Sequence, residues 1–145
     1  MISAVGHPFS LALAAPVLGG TLHPETDRAD TVRSITIDSR SVREGSLFVP
    51  LSGRFSDGHD FIAQAVKAGA CLVLVNESRA ESVFPTVPAK YHARLLIVDD
   101  SLMALHRLSS WYMQQYSRAL RIAVTGSNGK TTTKECIAAV LGQEY

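Results

Sequence analysis

The run Val124-Thr125-Gly126-Ser127-Asn128-Gly129-Lys130-Thr131-Thr132-Thr133 carries the residue types that hold a phosphate. Its glycines let backbone N–H groups turn inward around an anion. A helix opening at Lys130 adds the partial positive charge of its N-terminus at the same place. In such a loop Lys130 reaches the β- and γ-phosphates, and the Thr131 hydroxyl ligates Mg²⁺. The spacing departs from the general G-x-x-x-x-G-K-[ST] pattern: position 124 is valine, and the loop reads Gly126-x-x-Gly129-Lys130-Thr131. The bland alternative is a strand–turn–helix connection with a solvated lysine.

The elements that must position this loop are a strand over 121–125 and a final helix from Lys130 to the C-terminus. Upstream, the apolar run 9–22 reads as a short helix with Ser10 at its N-cap and Gly19-Gly20 as its stop. Residues 23–33 read as a loop. Ile35-Thr36-Ile37 and the run 47–51 read as strands, separated by a polar turn that closes on Gly45. Residues 54–58 form another loop. Phe61, Ile62, Ala65 and Val66 fall at helical spacing within 60–70, and Gly69 ends that helix. The runs 71–75 and 95–98 read as buried strands, and residues 76–94, with Pro85 and Pro88, as mostly loop. Ser101 caps a helix that carries Leu102, Leu105, Leu108 and Tyr112 on one face and ends near Tyr116. This strand–helix rhythm predicts an α/β fold. It also predicts a first domain over residues 1–118 and a second that begins at 119 and runs to 145.

The chain has 145 residues, 46% hydrophobic and 19% charged. That is enough apolar material for a core, which argues against wholesale disorder. Fourteen basic against thirteen acidic residues give a net charge of +1, which argues against a general nucleic-acid binder. Cys71 and Cys136 cannot make a disulfide framework or a CxxC zinc site, and a reducing cytosol fits them. Run 9–22 is short for a membrane span, which needs roughly 20 apolar residues. No Lys or Arg precedes Arg28 to form a secretory n-region. A soluble, cytoplasmic protein with no membrane insertion is expected.

The run T-G-S-N-G-K-T-T-T-K-E (125–135) resembles the ATP loop of the Mur ligase family, whose shortened glycine spacing it shares. Two more runs are similar to that family's signatures. One is Asp38-Ser39-Arg40 followed by Glu44-Gly45-Ser46-Leu47-Phe48-Val49-Pro50-Leu51-Ser52-Gly53. The other is Phe55-Ser56-Asp57-Gly58-His59-Asp60-Phe61-Ile62. The resemblance covers roughly residues 8–145. It implies a small N-terminal UDP-substrate-binding domain (a mixed sheet with helices), followed by the first strand, P-loop and helix of a truncated ATPase domain. It also implies ATP and Mg²⁺ as cofactors, a UDP-N-acetylmuramoyl-peptide as substrate and no nucleic acid. The protein is expected to be a monomer.

The implied reaction phosphorylates a substrate carboxylate, and an amine then displaces the phosphate. A carboxylate needs such activation because its own leaving group would be oxide. The transfer relies on positioning and on lysine and Mg²⁺ charge. Ser127 and Lys134-Glu135 are more like the member that adds D-alanyl-D-alanine. Alternatives are the member adding the third amino acid (meso-diaminopimelate or lysine) and a non-catalytic UDP-sugar-binding module. A P-loop kinase or GTPase fails because only 15 residues follow Lys130. The 145 residues alone are expected to be inactive, with D-alanyl-D-alanine held by a domain they lack.

By the same resemblance, Thr125, Gly126, Ser127, Asn128, Gly129, Lys130, Thr131 and Thr132 bind ATP, with Lys130 catalytic and Thr131 the Mg²⁺ ligand. Ser39, Arg40, Ser52 and Gly53 bind the UDP part: a hydroxyl and a guanidinium suit its oxygens, and glycine permits close approach. Three simpler roles stand beside these. Asp38 and Arg40 can close a surface turn as an ion pair. Gly58 can serve as a turn residue, with His59 or Asp60 as a helix cap. Asp99, Asp100 and Ser101 read as helix capping rather than a magnesium site. Trp111, Tyr112 and Tyr116 read as core packing, and Cys136 as buried. His7, His23, His92 and His106 show no ligand spacing.

Overall fold

A computed structural model describes residues 3–20, 22, 31–54, 56–115 and 122–143. It divides into two compact units, Met1–Gln115 and Tyr116–Tyr145.

The first unit is built on a five-stranded sheet in the order β1-β2-β3-β4-β5. These strands are β1 (Ser3–Ser10), β2 (Thr31–Thr36), β3 (Ser46–Phe48), β4 (Leu72–Asn76) and β5 (Leu95–Val98). β1 pairs antiparallel with β2, and β2 to β5 are parallel, so the sheet is mixed as expected. Side chains alternate across the strands. In β4, Leu72 and Leu74 enter one core, with Leu11, Leu18, Leu47, Leu96 and Leu108. Val73 and Val75 enter the other, with Phe48, Ile62, Val66 and Leu95. Helices α1 (Leu11–Leu18) and α4 (Ser101–Gln115) cover the first face, and α2 (Ile62–Lys67) the second. A strand apolar on both sides, such as β4, suits this three-layer arrangement.

Several expectations change. Residues 3–10 are a strand, so α1 begins at Leu11, and the Ser10 side chain makes no capping bond. Gly19, at φ 77°, ends α1 as expected. Residues 77–94 are largely a succession of short helical turns, including α3 (Ala80–Val83), and Val83 and Val87 are buried among them. Turns this short show no hydrophobic period for sequence reading to find. In α4 the inward face is Ser101, Ala104 and Leu108, whereas Leu102 is exposed. The expected packing of Trp111 holds: it meets Phe9 edge-on, ring centroids 5.5 Å apart. Tyr116, Arg121, His23 and Phe55 lie outside the described residues.

In the second unit, α5 (Lys130–Leu141) follows the glycine-containing turn 126–129 as expected. The expected strand is not formed at 122–125, where Ile122 is half-exposed. A strand needs a neighbour to complete its hydrogen bonds, and the described residues of this unit include no other strand. α5 has no buried residue, and Cys136 is exposed rather than buried.

Candidate functional site

Because β2 to β5 run parallel, their carboxyl ends share one edge, the usual place for a ligand in an α/β sheet. Ser39 and Arg40 follow β2, and Ser52 and Gly53 follow β3, which puts all four predicted UDP-binding residues on adjoining loops of that edge.

The loop after β2 is held locally. Buried Thr36 accepts from the Asp38 N–H at its Oγ1 and donates that hydroxyl to the Asp38 carbonyl, both at 3.1 Å. Asp38 then caps a single 3-10 turn, Ser39–Ser41, by accepting the Arg40 N–H. The Arg40 guanidinium donates to both Asp38 oxygens, at 2.9 and 2.8 Å. Hydrogen bonding from Arg40 lowers the Asp38 pKa to about 2. The surface ion pair weighed above is therefore present, and it orients Arg40 rather than hiding it. The Arg40 side chain is 83% exposed, and a guanidinium has five N–H donors, so some remain for a ligand's oxygens.

The loop after β3 folds on itself. The Gly53 N–H donates to the Ser56 carbonyl, and Ser52 forms an isolated bridge with Asp57. Gly58 packs so closely that an added Cβ would lie 2.7 Å from the Leu51 nitrogen and 2.9 Å from the Pro50 Cα. The cap of the next turn is Asp57, which accepts the His59 N–H, and not His59 or Asp60.

His59 has a role that sequence reading missed. Its ring is fully buried. Nε2 lies 3.1 Å from the Asn76 nitrogen and accepts its N–H, so the ring proton sits on Nδ1 and is donated to Asp57 Oδ1 at 2.7 Å. Burial pushes the Asp57 carboxyl up, but the His59 hydrogen bonds and Arg79 outweigh it, and its pKa is lowered. Asn76, at the end of β4, accepts at Oδ1 from both the N–H and the hydroxyl of Ser101, at 2.8 and 2.6 Å. Partners 17 and 25 residues apart leave no local signal. Of the three residues expected to cap α4, only Asp100 does so, accepting from the Met103 N–H, while Asp99 pairs with Arg107 at 2.7 Å. Pro50, Leu51, Ser52, Asn76, Asp100 and Ser101 border a cavity of about 200 Å³ at this edge.

In the second unit the predicted residues 125–132 are all exposed. Gly126 and Gly129 have φ of 146° and 78°, which side-chain-bearing residues rarely adopt. Gly129 starts α5 with no side-chain cap, leaving first-turn N–H groups for an anion. The Lys130 ammonium folds back to donate to the Gly126 and Ser127 carbonyls. Among the described residues no cluster of His, Cys, Asp or Glu is arranged to hold a metal.

The family model described as "Mur ligase family, catalytic domain" matches residues 31–112. The chain belongs to the Mur ligase family. UDP-N-acetylmuramoyl-tripeptide--D-alanyl-D-alanine ligase of Bacillus subtilis is 40% identical over 131 residues, covering 90% of this chain and 27% of the relative. Mur ligases named for 2,6-diaminopimelate also match, such as that of Chlorobaculum tepidum, 38% identical over 113 residues, covering 76% of this chain and 20% of the relative. MurF from Acinetobacter baumannii superposes with a TM-score of 0.74 at 29% identity, covering 94% of this chain and 28% of that one. MurF of Thermotoga maritima, solved in complex with ADP, gives 0.57 at 34% identity, over 75% of this chain and 23% of that one. This Mur ligase chain thus spans about a quarter of the length of the relatives it matches. No described helix is long and apolar enough to cross a membrane.

Proposed function

We propose that the chain is the front part of an ATP-dependent ligase that joins D-alanyl-D-alanine to a UDP-N-acetylmuramoyl-tripeptide. The observation that carries this reading is the match to relatives named for that reaction, at up to 41% identity. The unit Met1–Gln115 is the UDP-substrate-binding domain, and Tyr116–Tyr145 begins the ATP-binding domain. Arg40 and Ser39 bind oxygens of the UDP group, with Ser52 and Gly53 forming the neighbouring wall. The exposed N–H groups at the start of α5 and the Lys130 ammonium hold the ATP phosphates. Magnesium, held in part by Thr131, would neutralise phosphate charge.

Phosphoryl transfer to the tripeptide carboxylate creates an acyl phosphate. The amine of D-alanyl-D-alanine attacks its carbonyl, the C–O bond breaks, and phosphate leaves. Lys130 contributes by stabilising charge that develops on the transferred group, an effect worth roughly 10²–10³ in rate for a single well-placed donor.

The test is calorimetry on the complete ligase with UDP-N-acetylmuramoyl-tripeptide and ATP, and phosphate release once D-alanyl-D-alanine is added. Lys130→Ala is expected to lose phosphate release by roughly two to three orders of magnitude while retaining binding of the UDP substrate. Failure of the parent protein to bind either substrate would sink the reading.

A further inference from the structure

The Asn76 side chain has two ends, and only one is used. Its Oδ1 is identified by the Ser101 backbone N–H, which can only donate. The Ser101 hydroxyl donates to the same oxygen, and Ser101 is buried. The amide is also fixed from behind, because its own backbone N–H is bound to the buried His59 ring. The Nδ2 group has no partner among the described residues, and Asn76 borders the cavity that Ser52 also borders. A donor held rigidly loses little entropy when it meets its acceptor.

We infer that Asn76 is a further substrate-binding residue, donating from Nδ2 to an uncharged acceptor oxygen in the nucleoside portion of the bound substrate. The inference rests on the nucleotide-sugar reading above. The lining settles the charge of the acceptor. Asp100 is the ionisable residue of this cavity and repels a phosphate, whereas Pro50, Leu51 and Leu102 suit a neutral group. Phosphate oxygens are left to Arg40. His59 and Ser101 act through Asn76 and are positioning residues.

Two measurements on the full chain test this. The first is titration of ¹⁵N-labelled protein with uridine, which carries no phosphate. The Asn76 side-chain NH₂ signals are expected to shift together with the backbone amides of Ser52 and Gly53. Shifts at Ser52 and Gly53 with unmoved Asn76 NH₂ signals overturn the inference and leave the nucleotide-sugar reading standing. If uridine and uridine diphosphate both leave Ser39, Ser52 and Asn76 unmoved, the nucleotide-sugar reading falls and the inference with it.

The second is Asn76→Asp, which keeps an acceptor for Ser101 but replaces the donor. Its uridine affinity is expected to fall about tenfold, the size of one ordinary hydrogen bond. The neutral ligand removes charge repulsion as a cause. Unchanged affinity overturns the inference. A purely structural role predicts no loss, because the Ser101 bonds survive.

Discussion

Replacing His59 by phenylalanine keeps most of the buried volume and removes both ring hydrogen bonds. The Asn76 N–H then has no acceptor, and a buried donor left unsatisfied costs about 1–3 kcal/mol. Asp57 loses the Nδ1–H donor at 2.7 Å, a bond to a charged group worth about 1.5–3 kcal/mol. The Asp57 side chain is 26% exposed, so water recovers part of that bond and the lower figure applies. Together these give a loss of roughly 2.5–4.5 kcal/mol. For a chain of this size 1 kcal/mol moves Tm by about 2–4 °C, so Tm is expected to fall by roughly 5–18 °C. Urea unfolding read by fluorescence of Trp111, the single tryptophan, measures the change because that ring packs against the core. His59→Gln retains an acceptor that can reach Asn76 and is expected to lose less. A loss below about 0.5 kcal/mol for His59→Phe, the range of an ordinary surface change, would refute the buried hydrogen-bond chain.

Acid lability should report the Asp99–Arg107 pair. Hydrogen bonding from Arg107 lowers the folded pKa of Asp99 to about 2, below its unfolded value. The pair therefore stabilises fully above about pH 4, and that contribution disappears as pH falls toward 2. Arg107→Gln is expected to flatten the fall in stability across this window, seen in urea midpoints at successive pH values. An unchanged slope would count against the pair. Gly58→Ala sets a methyl group against the backbone of Pro50 and Leu51, and overpacking of this kind costs about 1–3 kcal/mol. Thermal unfolding tests this, and an alanine variant as stable as the parent would show that the loop yields.

The glycine turn into α5 was legible because its requirements are local. Gly126 and Gly129 occupy positive-φ positions, and Lys130 opens α5 directly after them. The Asp38–Arg40 turn was legible for the same reason: cap and ion pair close within three residues. Strands β3, β4 and β5 announced themselves as apolar runs because the sheet is covered on both sides.

What tertiary structure decided is where distant residues meet. Asp57, His59, Asn76 and Ser101 form one chain of hydrogen bonds only because β3, β4 and β5 stand side by side in parallel register. That register turns His59 from a supposed cap into a buried acceptor, and it makes Asn76 a fixed amide. It also puts Leu102 outside and Ser101 inside, since α4 is anchored through Ser101 to the end of β4. Sequence fixes which residues prefer a turn, a cap or a core. The sheet fixes which of them touch, because a buried polar group takes the partner that the register places within reach.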